Sequence, residues 1–146
     1  MATNTEEYVN VSSFTVSIDG LNWNTFESVN GLGVDVEDIA YQSEKNQMLN
    51  RPGRFNARDI HLVRRFKNDE ALYRWLAEIK AGKQSRKSGS VILKDDEDHE
   101  VARFNFFGSW PKSWSGPHLT KDKNGNDLLK EEIVLSVQDL EMAKGS

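Results

Sequence analysis

The sequence predicts a mainly β domain with one inserted helix. Three observations predict it. Apolar and polar residues alternate with a period of two in segment after segment, a single stretch carries a helical period, and turn-forming residues punctuate the segments. A chain of 146 residues suits one domain, which buries roughly two-thirds of its unfolded surface on folding. Its 37% apolar content is modest beside 29% charge, but 4 Trp and 7 Phe supply enough large side chains for a core.

The elements follow in order. Residues 1–12 are polar and predict a flexible N-terminal segment, and residues 13–141 the folded domain. Phe14, Val16 and Ile18 alternate with Thr15 and Ser17 as a half-buried strand that ends at Asp19-Gly20. A second strand carries Trp23 and Phe26. After Asn30-Gly31, Val34 and Val36 alternate with Asp35 and Glu37 and lead into Ile39 and Tyr41. The polar stretch Gln42 to Asn56 contains Arg51-Pro52-Gly53-Arg54 and predicts an extended loop; a connection of that length is often functional. Ile60 and Leu62 resume the alternation, with His61, Val63 and Arg65 on the other face.

The helix is expected over residues 69–81. Asn68 or Asp69 caps it, Leu72, Trp75, Leu76 and Ile79 form one apolar face, and Gly82 stops it. Strands resume at Ser90–Lys94 and return through Ala102, Phe104 and Phe106, a hairpin with the acidic tip Asp95-Asp96-Glu97-Asp98. Trp110-Pro111 and Trp114-Ser115-Gly116-Pro117 interrupt the alternation. Asn124-Gly125 precedes a last strand carrying Ile133, Leu135 and Val137, and residues 142–146 read as a flexible C-terminus.

Composition narrows the function. A net charge of −4 argues against binding nucleic acid through bulk charge. With no cysteine there are no disulfides, thiolate ligands or Cys nucleophile. The segment Met1 to Glu7 lacks the basic and apolar regions of a secretion signal, and no apolar run approaches the ~20 residues of a membrane span. His61, His99 and His118 fall in separate segments without metal-site spacing. The acidic tip lacks the alternation and glycine of a calcium loop. There is no P-loop, GxGxxG or GxSxG. No catalytic, cofactor-binding or metal-binding residues are therefore expected, and the chain reads as a non-enzyme. Lys83-Gln84-Ser85-Arg86-Lys87 and Arg64-Arg65 fit either a solvated basic surface or contact with an acidic face of a neighbouring subunit. The aromatics between Trp110 and Leu119 suit core packing, with a stacking platform as the alternative.

The order of segments resembles the tail-tube family of contractile phages, and particularly the inner tube proteins of phage-tail-like extracellular contractile injection systems. Four stretches carry the likeness: Phe14 to Gly20 followed by Phe26 to Leu32; Val36 to Tyr41 with the stretch through Arg51-Pro52-Gly53 and Ile60 to Arg64; Asn68 to Gly82; and Phe106 to Pro117 followed by Glu132 to Leu135. Together they span about residues 13 to 140. The resemblance implies a small antiparallel β-barrel or sandwich with one flanking helix. It implies homohexameric rings that stack into a hollow tube, a structural component of a phage tail or tail-like particle, with no cofactor. Its expected partners are the chain itself, a contractile sheath, baseplate and tube-terminating proteins, and lumen cargo. Such a subunit is assembled in the bacterial cytoplasm and belongs to a phage tail or to a released or cytoplasmic contractile particle, without stable membrane insertion.

The expected inter-ring or inter-subunit contacts are Gln42, Ser43, Glu44, Lys45, Asn46, Gln47, Met48, Leu49, Asn50, Arg51, Pro52, Gly53 and Arg54. Two other functions fit the same pattern: an adaptor or terminator ring at the baseplate or tube end, and a monomeric β-barrel module binding a ligand or single-stranded nucleic acid. An acidic-site hydrolase is disfavoured, because no positioned base or nucleophile can be named.

Overall fold

The structure is a computed structural model that describes residues 10–21, 26–67, 69–119 and 129–144. In chain order the elements are β1 (Ser13–Ile18), β2 (Phe26–Asn30), β3 (Val34–Gln42), β4 (Met48–Ala57), β5 (Ile60–Arg65), α1 (Ala71–Lys80), β6 (Lys87–Lys94), β7 (Glu100–Ser115), β8 (Lys130–Ser136) and β9 (Asp139–Lys144). All strand pairs are antiparallel.

The 16-residue β7 organises the body. Its first half lies between β6 and β9, and its second half, from Trp110 to Ser115, pairs with β8. One strand thus belongs to two sheets, and the hydrogen-bonded path runs β1-β6-β7-β8-β5-β2 with β9 branching from β7. Among the described residues this path does not close into a barrel. Pro111 sits within the strand opposite Leu135, at a register shift before Ser113. A proline without an N–H is tolerated there because, among the described residues, this half of β7 pairs with β8 on one side only.

The inward sets meet as one core. Val16, Ile18, Val91, Phe106, Ile60, Leu62, Ile133 and Leu135 are all buried, with Leu72 and Trp75 inserted from the helix. Trp75 donates its indole N–H to the Ser85 carbonyl at 2.7 Å, so its burial strands no polar atom. Leu76 and Ile79, on the same helical face, are half-buried.

The helix spans residues 71–80 rather than 69–81. Asp69 lies just outside it and accepts the Ala71 N–H at 3.2 Å; Asn68 lies outside the described residues. At the other end, Lys83 N–H reaches the Glu78 carbonyl and Gly82 N–H reaches that of Ile79, the paired bonds of a Schellman stop.

Buried charge ties the helix to the sheet. Arg64, on β5, is 1% exposed and donates to the Glu131 carboxylate of β8, which is 3% exposed. Glu131 also accepts the Trp114 indole N–H at 3.2 Å, and Arg64 reaches Asp69 at 2.8 Å. Partial burial pushes the Asp69 carboxyl up. The bonds from Arg64 and the Ala71 N–H, with the charges of Arg64 and Lys67, outweigh that and hold it below the usual aspartate range.

Three sequence expectations need revision. The extended loop expected over residues 42–56 is a β-hairpin: β3 reaches Gln42 and β4 begins at Met48, leaving a tight turn between them. Its residues look loop-like because neither strand has a buried face to impose strong alternation. Residues 139–144 form β9, where the flexible C-terminus was expected to begin at 142. Asp139-Leu140-Glu141-Met142-Ala143-Lys144 is charged and short, and its strand state comes from pairing with Ala102–Phe107 of β7. The segment around Trp110 and Trp114 continues β7 instead of interrupting the pattern. Residues 1–9 of the flexible start expected over residues 1–12, Trp23 and the Asn124-Gly125 turn lie outside the described residues; residues 10–12 are exposed and precede β1.

Replacing Trp75 by Ala is expected to cost about 3–5 kcal/mol, as large-to-small core changes do, read as a fall in denaturation midpoint. The lowered Asp69 value means its contribution is fully present above the ordinary aspartate pKa and is lost as pH falls through the folded-state value. Acid unfolding of Asp69→Asn should accordingly show a shallower loss of stability below pH ~4 than the parent; superimposable pH profiles, after correcting for the neutral-pH offset, would remove Asp69 from the network.

Candidate assembly surface

Among the described residues the β3–β4 hairpin shares no strand pairing with the body and meets it through Ala57 and where β4 approaches β9. It forms its own two-stranded sheet, and every residue in it is exposed or half-buried. Two strands alone are marginally stable in water, so the local bonds at tip and root matter to this one.

Local bonds order the tip. Ser43 N–H donates to the Gln47 carbonyl at 2.8 Å and Asn46 N–H to the Ser43 carbonyl at 3.0 Å. The Ser43 hydroxyl oxygen accepts the N–H groups of Lys45 and Gln47, and the Gln42 amide donates to the Asn46 side chain at 3.0 Å. Asn46 adopts φ 60°, a left-handed conformation that asparagine tolerates better than most residues.

Register assigns the faces. Val34 pairs with Ala57 and Val36 with Phe55; after a shift, Asp38 pairs with Pro52, Ala40 with Asn50 and Gln42 with Met48. Directly paired residues share a face. One face therefore carries the apolar Val34, Val36, Ala40, Met48, Pro52, Phe55 and Ala57, interspersed with the polar Asp38, Gln42 and Asn50. Phe55 is 73% exposed and Met48 70%. The other face carries Ile39, Tyr41, Leu49 and Arg51, with the Arg51 guanidinium 5.7 Å from the Tyr41 ring centroid. A shallow open depression of about 280 Å³ lies at the register shift, lined by Val36, Glu37, Asp38, Asn50, Arg51 and Pro52.

The hairpin root is tightly built. At Gly31 (φ 93°) a Cβ would stand 2.0 Å from the Asp59 carbonyl oxygen, so only glycine lets the entering and leaving strands approach this closely. Arg58 N–H donates to the Gly33 carbonyl at 2.9 Å, and its guanidinium makes a two-point contact with Asp35 at 2.9 and 2.7 Å. That contact holds the Asp35 carboxyl below its usual range.

Of the expected contact residues, Gln42 to Gln47 form the turn and its flank, and Met48 to Arg54 lie in β4. The structure brings them together with Val34, Val36 and Phe55, which were not among them. Their signal was present as the Val34/Val36 alternation against Asp35/Glu37, yet alternation alone does not say whether a face is covered.

Other candidate groups are dispersed. His61 faces Glu132 at 3.2 Å across β5 and β8, and His99 lies by Asp95 and Glu97 at the β6–β7 tip. Asp95 there accepts the backbone N–H groups of His99 and Glu97, which close the acidic turn internally and hold its carboxyl low. Among the described residues no three His, Cys, Asp or Glu side chains converge as a metal-ion site. Trp114 is packed edge-to-face against Tyr73, with ring centroids 5.3 Å apart, which places it against the helix.

This fold recurs in solved structures. A sheath-tube complex of the extracellular contractile injection system PVC, in its extended state, contains a chain that matches with TM-score 0.83 at 23% identity, over 95% of this chain and 93% of that one. A PVC sheath/tube terminator chain matches with TM-score 0.82 at 24% identity, over 94% and 98%. Hcp1 from Flavobacterium johnsoniae matches with TM-score 0.57 at 16% identity, over 91% and 96%. No curated protein sequence matches the chain. The fold is thus of the tail-tube class. Residues 10–141 match the family described as T4-like virus tail tube protein gp19, and the chain belongs to that family of tail tube proteins.

Phe55→Ser and Met48→Ser should leave the denaturation midpoint of the dispersed protein nearly unchanged, since surface substitutions usually fall within about 0.5 kcal/mol. A large destabilisation in either variant would show that the body covers this face.

Proposed function

We propose that copies of this chain form rings that stack into the inner tube of a contractile phage-tail-like injection particle, with the β3–β4 hairpin of one ring seated on the next. The observation that carries the reading is the hairpin itself: ordered at tip and root, yet carrying an uncovered apolar face. Burying that face on another copy is favourable by roughly 25 cal/mol per Å² of apolar area removed from water, and a repeated head-to-tail contact extends without limit. The hexameric ring, the surrounding sheath, the baseplate and terminating partners, the lumen for cargo and assembly in the bacterial cytoplasm belong to the same proposal. They draw on family membership and on structural likeness to chains from sheath-tube, terminator and baseplate assemblies. The role is architectural and requires no covalent step.

A ring at the tube end is the second reading, favoured by a terminator chain that superimposes as well as the tube chain. Electron microscopy of concentrated protein separates the two. Long hollow rods are expected from the parent; single rings under all conditions would assign it to the end of the tube. Val34 and Ala57 are directly paired, so residues 35–56 can be replaced by an Asn-Gly turn that closes the shortened hairpin. That variant should fold and form rings but not rods. Rods of parental length from it would overturn the role given to the hairpin.

A further inference from the structure

Two exposed ion pairs flank the hairpin root, and neither touches the apolar face. The first is the Arg58–Asp35 contact, which crosses from the exit of β4 to the start of β3. Gly33 makes room for it: a Cβ there would lie 3.1 Å from Arg58 Cδ and Nη1, so a larger residue would push the guanidinium off its line to Asp35. The second joins hairpin and body. Asp59 lies in the short link between β4 and β5, and its carboxylate receives Lys112 Nζ of β7 at 2.9 Å. Asp59 also supplies the carbonyl that Gly31 approaches so closely. Both connections of the hairpin thus converge on a patch of Gly31, Gly33, Asp35, Arg58, Asp59 and Lys112.

We infer that Arg58–Asp35 and Lys112–Asp59 act as a two-part brace that fixes the direction in which the hairpin projects before any partner is present. The inference rests on the hairpin's proposed seat on a neighbouring ring and adds how that seat is found. Exposed pairs of this kind contribute little to global stability. A two-point guanidinium–carboxylate contact does, however, constrain orientation as well as distance. The hairpin meets the body only partly, through Ala57 packed against the core and where β4 approaches β9, so these pairs and the backbone at the root share in setting its angle. A hairpin held in its docking direction loses less conformational entropy on association, and this favours stacking without adding any contact to the interface. Asp35, Arg58, Asp59 and Lys112 are positioning residues in this sense.

The absence of native cysteine makes the test clean. Spin labels at Lys45→Cys, on the hairpin tip, and Asp96→Cys, on the β6–β7 turn of the body, report the tip-to-body distance in the dispersed protein. With the native brace a single narrow distance distribution is expected. Asp35→Asn and Asp59→Asn should each broaden it, and the exchange Asp35→Arg with Arg58→Asp should narrow it again relative to Asp35→Asn. Without labels, the two Asn variants should form rings in parental yield while rods become fewer and shorter. An unchanged distribution in both Asn variants, or a broadened one with parental rods, overturns the brace. Phe55→Ser run alongside keeps the two ideas apart. If it abolishes rods while the Asn variants behave as the parent, the hairpin seat stands and the brace falls; if it too makes parental rods, the seat itself is wrong.

Discussion

The body depends on one buried ion pair. Arg64 and Glu131 face each other from neighbouring strands beside a core of Ile, Leu, Val, Phe and Trp side chains. Neither charge is tolerable there alone, because an uncompensated buried ion costs several kcal/mol. Their geometry removes that penalty by using every strong bond available. Glu131 binds Arg64 with one oxygen and the Trp114 indole with the other, while Arg64 extends to Asp69 at the helix entrance. No buried side-chain polar atom among the described residues lacks a partner. The pair therefore fixes the β5–β8 register, the second half of β7 and the start of α1 with respect to one another. A slip of one residue between β5 and β8 would turn one of these charges outward and leave the other buried alone.

From that fixed frame the hairpin departs, and the two parts obey opposite physics. In the body, apolar side chains are covered and polar groups paired. In the hairpin, backbone groups are paired across the ladder but the apolar side chains of Phe55 and Met48 remain in water. Exposed apolar surface on an otherwise satisfied molecule marks a contact site. The body buries its apolar side chains within a single copy, while the hairpin leaves most of its own exposed. This division suits the proposed role, in which the subunit folds first and associates second.

Charge on the exterior is arranged in local pairs rather than broad fields. Lys130 meets Glu27, Arg103 meets Glu100, and Lys94 meets Asp98. Exposed pairs add little to stability, but they keep long side chains in defined places and leave fewer free charges to repel a neighbouring copy. The same local pairing operates at the acidic tip, where the Asp95 carboxylate accepts the turn's own N–H groups.

Much of this was legible in the sequence, and the parts that were not have a common cause. The alternation of Phe14, Val16 and Ile18, of Ile60 and Leu62, and of Ile133 and Leu135 determined strands and their inward faces, because a half-buried strand must alternate. The spacing of Leu72, Trp75, Leu76 and Ile79 determined the helix and the side it packs with. Tertiary structure decided the rest. Arg64 reads as part of a basic surface until pairing across β5 and β8 places it inside, against Glu131. Asp139 to Lys144 becomes a strand because β7 offers an edge, and β7 runs through Pro111 where, among the described residues, it pairs with β8 alone. Gln42 to Asn56 read as a loop because strands without a core carry no core pattern. Local sequence records the environment each side chain expects; which distant strand supplies that environment, or whether another copy must, is decided only when the chain is folded.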